Sequence, residues 1–67
     1  WAMHQNFENS EQIIDQLKTI SDQLADRALS VLKEAHAAGE SKRPEAERTL
    51  TQARRAVEKA ISLLTRS

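Results

Sequence analysis

Apolar residues recur at spacings of three and four along two stretches of this chain, and both patterns stop at Gly39-Glu40-Ser41-Lys42-Arg43-Pro44. The first runs through Ile14, Leu17, Ser21, Leu24, Ala28, Val31, Ala35 and Ala38, and the second through Ala46, Leu50, Ala53, Val57, Ala60 and Leu64. A 3.6-residue recurrence marks a helix that buries one face. The pattern predicts an all-α chain: an antiparallel two-helix hairpin with helices at about 9 to 38 and about 44 to 66.

The expected boundaries have identifiable chemistry. Asn9 or Ser10 suits the N-cap, Glu11 places a carboxylate at the positive end of the helix dipole, and Phe7 can act as an apolar clasp just upstream. Gly39 suits the left-handed position after the last turn, while Pro44 presets φ for a new first turn containing Glu45 and Glu47. A connection of about five residues is short enough to hold two helices as antiparallel neighbours.

Antiparallel partners should have residue numbers with a constant sum. Leu17 with Leu64, Ser21 with Ala60, Leu24 with Val57, Ala28 with Ala53, and Ala35 with Ala46 each sum to 81, and Leu32 with Leu50 sums to 82. Large layers alternate with small ones, and the small layers let the backbones approach towards the near end of the usual range of about 8–10 Å.

The same register leaves Phe7 and Ile13 overhanging, and Ile14 faces only the last residue. Ile13, Ile20 and Val31 lie on one shoulder of the first helix, and Ala56 and Leu63 on one shoulder of the second. These residues broaden the apolar stripes to about 140° and about 160°, wider than a two-stranded seam needs and suited to a helix inside a bundle. The expected remedy is a second hairpin, or a foreign helix pair, closing a four-helix bundle. Phe7, Ile13, Ile14, Ile20, Val31, Ala56 and Leu63 are the candidate apolar partner-binding residues.

Composition strengthens that expectation. Ten of the 26 apolar residues are Ala, so the core of this 67-residue chain is thin. A chain this short holds at most one small domain and has no room for a scaffold around an enclosed cleft. A lone hairpin of this kind should be marginal.

Cysteine is absent, which removes disulfides and thiolate metal sites. No apolar run approaches the roughly 20 residues of a membrane span, and the opening residues lack the layout of a signal peptide. The chain is accordingly read as cytoplasmic. Because it begins with Trp1 rather than Met, residues 1 to 5 are expected to be an appended scar or the cut end of a longer protein. Residues 1 to 8 are read as a flexible segment, and 9 to 67 as the hairpin domain.

The formal net charge of zero conceals a split: residues 1 to 41 carry 3 basic and 7 acidic groups, and residues 42 to 67 carry 7 basic and 3 acidic. On the first helix Glu11, Asp15, Asp22 and Asp26, together with Glu8 and with Lys18 and Lys33 interspersed, fall within about 80° of helical arc, broadly opposite the apolar stripe. On the second, Arg48, Arg55, Lys59 and Arg66 fall within about 40° on the far side from Val57 and Leu64. These two ridges are the candidate charged docking residues, although charged ridges of this kind are also how a solvated helix face ordinarily looks. Arg27 and Arg54 flank the seam and are expected to reach a carboxylate across the bundle.

Chemistry-bearing constellations are scarce. His36 belongs to the last turn of the first helix, where an imidazolium favours the negative end of the dipole. No His and carboxylate spacing assembles a metal site, and the lone glycine, Gly39, cannot form a phosphate loop. The chain is therefore expected to be non-enzymatic, with no cofactor, no metal and no small-molecule substrate. In size and architecture it resembles the dimerising helical hairpins that serve as docking domains of modular biosynthetic enzymes. That likeness is one of size and architecture only, and no family follows from it.

The expected role is a helical protein-interaction module, for dimerisation, docking or regulation, whose partner is a second copy or another helical protein. The alternative is a small nucleic-acid-associated regulator using the basic ridge on phosphates. Counting against it are the acidic half, a pI near 6.9 and the lack of any aromatic residue in the second helix to stack on a base.

Overall fold

In the computed structural model, which describes the backbone of residues 2–66 and the side chains of residues 10–66, two helices pack against each other as a hairpin. They are α1, Ala2–Ala37, and α2, Glu45–Arg66. The molecule is a rod of 56 × 14 × 13 Å.

Helix α1 begins at Ala2 rather than at a cap on Asn9 or Ser10, so its first turn carries no acidic residue. No Gly or Pro interrupts residues 2 to 9, and extending an existing helix costs far less than nucleating one. The side chain of Phe7, and hence its expected clasp, lies outside the described residues, as do the side chain of Glu8 and all of Trp1.

The end of α1 is a Schellman motif. Gly39 adopts φ +85°, the Gly39 amide donates to the His36 carbonyl at 3.0 Å, and the Glu40 amide reaches back to the Ala35 carbonyl at 3.0 Å. These bonds satisfy carbonyls that the last turn would otherwise leave open. The chain re-enters a helix at Glu45, one residue later than expected. Pro44 stands just outside, its carbonyl accepting the first intrahelical bond from the Arg48 amide at 3.2 Å.

Arg43 and Glu47 bracket this entry with a charge-assisted hydrogen bond from the guanidinium Nε to the carboxylate. The Thr51 hydroxyl donates to the same carboxylate at 3.0 Å. These donors, Arg43 first, hold the Glu47 carboxyl below its ordinary pKa, and the same pairing raises that of Arg43.

The seam contains most of the expected positions. Among the described residues Ser21, 2% exposed, and Ala28, 8% exposed, are the two deepest, and they belong to the small layers. Ile14, Leu17, Leu24, Val31 and Ala35 of α1 and Leu50, Ala53, Val57, Ala60 and Leu64 of α2 are half-buried around them.

One systematic difference appears on α2. Ala46, assigned to the seam opposite Ala35, is exposed, whereas Glu47, Thr51 and Ile61 are half-buried. The contact face of α2 is turned by roughly 40° from the expected stripe, at 100° per residue. The polar consequence is direct: turning α2 this way brings Arg54 and Glu58 to the edge of the seam, where both meet the Ser21 hydroxyl of α1. Ala38 is exposed as well, because it sits in the turn that closes α1.

Candidate functional site

The two helices alone cover little. Ile13, Ile20, Leu29 and Leu63 remain 41–50% exposed, although each is large and apolar. They divide between the two flanks of the hairpin, and the helical angles of the residues show how.

One flank holds a shallow open groove of about 210 Å³ lined by Leu24, Ala25, Ala28, Leu29 and Leu32 of α1 and by Glu47, Thr51 and Arg54 of α2. Polar contacts join the helices along it. The buried Ser21 hydroxyl donates to Glu58 Oε2 at 2.6 Å and accepts from Arg54 Nε at 3.4 Å. Arg54 thus reaches a hydroxyl across the hairpin. A hydroxyl can donate and accept at once, so a single small side chain satisfies both long ones.

The opposite flank carries Ile13 and Ile20 of α1, about 160–180° of helical arc away from Leu29. On α2 the same flank carries Ala56 and Leu63, which stand across the helix from Arg54, Glu47 and Thr51. Ile13, Ile20, Ala56 and Leu63 are exposed here. Ile14 and Val31, placed in the same group, are half-buried and contribute to the seam itself.

All eight candidate charged residues with described side chains are exposed: Glu11, Asp15, Asp22 and Asp26 on α1, and Arg48, Arg55, Lys59 and Arg66 on α2. Among the described residues the one ion pair is Arg43 with Glu47, which closes the turn and joins neither ridge to the other.

Leu29 and the Ser21, Arg54 and Glu58 cluster were not singled out from the sequence as an external surface. Leu29 shares its helical angle with Glu11 and lies seven residues after Asp22, so acidic neighbours mask it. The available signal was its spacing of four from Ala25 and three from Leu32. Among the described residues no group of three or more His, Asp or Glu lies together to hold a metal ion, and no helix is long and apolar enough to cross a membrane.

The comparisons add no family. No family model, curated protein or solved structure matches this chain. Function has to be argued from the surfaces above.

Proposed function

We propose that the chain is a non-enzymatic helical protein-interaction module, an assembly, docking or regulatory adaptor that works through its apolar helix faces and associates with itself as a four-helix bundle. The single observation that carries this reading is the amount of surface left open. A compact monomer of 7.6 kDa would expose roughly 4,300 Å². The hairpin exposes 5534 Å². The difference of roughly 1,200 Å² goes with the rod shape, and the open surface carries the large apolar side chains Ile13, Ile20, Leu29 and Leu63.

A second hairpin supplies what the first lacks. Burying three or four half-exposed Leu and Ile side chains removes apolar area from water at about 25 cal/mol per Å², the dominant favourable contribution to association. A net charge of zero adds no long-range repulsion between copies. The two charged ridges remain outside such a bundle, available to a further partner.

Light scattering across a concentration series tests this. The expected result is a mass near twice 7.6 kDa, with helicity falling on dilution. A folded monomer at every concentration overturns self-association.

A further inference from the structure

We infer that the second copy seats on the flank bearing Ile13, Ile20 and Leu63, with α1 of each protomer against α2 of the other and both connecting turns at the same end of the bundle. This rests on the self-association proposed above and specifies its geometry.

The choice of flank follows from what each would bury. On the groove side, the line of α1 through Leu29 continues at seven-residue intervals to Asp22 and Asp15, all exposed. A protomer lying along that line would bury acidic groups together with the Arg54 and Glu58 contacts of Ser21. Stripping water from charged groups costs several kcal/mol each unless new partners replace it. Interface cores are depleted of charge for that reason. On the other side, the line through Ile20 contains Ile13, and its first charge is Arg27, towards the turn. Ala53, Ala56 and Ala60 beside Leu63 present α2 as a low surface, so the bulky α1 strip of one copy can lie on the small α2 surface of the other. That complementarity is reciprocal, as a two-fold interface requires.

The choice of pairing follows from charge and from the placement of the apolar strip. Two hairpins stacked face to face can be related by a two-fold axis along the helices or across them. An axis across the helices sets α1 on α1, and so brings the half with 7 acidic and 3 basic groups against its own copy. An axis along them sets α1 on α2, and acidic and basic corners alternate around the bundle. Like charges placed opposite each other disfavour the first arrangement. Ile13, Ile20 and Leu63 also lie in the half of the hairpin away from the turn, and only the axis along the helices superimposes those halves without sliding the copies apart.

The absence of cysteine gives a direct test. Ser41→Cys places one nitroxide in the exposed turn of each protomer. Pulsed electron resonance on the dimer should give a single distance below roughly 30 Å, since packed helices are about 10 Å apart. A distance of roughly 30 Å or more overturns the pairing, since turns at opposite ends are separated by at least the length of α2, about 33 Å for 22 residues. In parallel, Ile20→Arg should raise the concentration at which dimer and helicity are lost at least 100-fold, and Leu29→Arg should move it less than threefold. The reverse order overturns the choice of flank. A wild-type chain that stays monomeric overturns the self-association reading itself, an outcome distinct from either of the others.

Discussion

The Ser21 hydroxyl donates a 2.6 Å hydrogen bond to the Glu58 carboxylate from a position that is only 2% exposed, and so links the middle of α1 to α2 through a polar contact inside an apolar seam. Arg54 approaches the same oxygen from one turn earlier on α2. A polar group fixed between two helices penalises registers that leave it unpaired, as a single buried Asn does in a coiled coil.

Ser21→Ala should therefore lower stability by about 0.5–1.5 kcal/mol, the usual net worth of one hydrogen bond, because Glu58 is exposed and regains water when its donor is lost. Ser21→Leu should cost more, by about 1–3 kcal/mol, through overpacking of a small layer. Urea unfolding followed by circular dichroism measures both. A neutral Ser21→Leu would mean that the helices are not in close contact there.

The turn of α2 about its axis is tested by alanines that the periodicity alone treats alike. Ala28→Leu and Ala53→Leu insert bulk into one layer of the seam, and the first should cost about 1–3 kcal/mol, with a smaller loss at the half-buried Ala53. Ala46→Leu, at an exposed position, should leave stability within about 0.5 kcal/mol of the parent. Equal losses at Ala46 and Ala28 would restore the unrotated stripe.

Much of the hairpin is legible in the sequence because its strongest signals are local or periodic. Gly39 marks a left-handed residue, and the seven-residue recurrence of Ser21 and Ala28 marks the deepest of the described seam positions. The rotation of α2 was not legible. Apolar periodicity weighs Ala46 above Glu47 and Thr51, yet an alanine gains little from burial, while the turn of α2 lets Arg54 and Glu58 meet the Ser21 hydroxyl across the hairpin. The start of α1 was obscured for a different reason: Asn9 and Ser10 are good caps, but a capping residue can also be carried through by a helix that continues upstream.

The connecting turn depends on one backbone angle. At Gly39 no atom lies within 4 Å of where a Cβ would stand, so Gly39→Ala meets no steric obstacle and suffers only from φ +85°. The expected loss is about 1–2 kcal/mol, the cost of holding an L-residue in the left-handed region. Gly39→Asn should lose less, since Asn tolerates that conformation better. Thermal unfolding of the two variants against the parent gives the comparison, and an Ala variant as stable as the parent would show that the Schellman turn contributes little.

Acid should loosen the entry to α2 through Glu47. Its carboxyl is held below the ordinary glutamate value chiefly by the hydrogen bond from Arg43, with Thr51 adding a smaller share. A group whose folded-state pKa is depressed contributes stability that is fully present above its unfolded value and is lost as pH falls through the folded one. The contribution of Glu47 should thus be complete near neutrality and fade on acidification through the ordinary carboxylate range and below it. Carboxyl chemical shifts measured against pH should place the Glu47 midpoint below the ordinary glutamate value, and Arg43→Gln should move it upward towards that value. An unmoved midpoint in Arg43→Gln would show that the guanidinium does not set it.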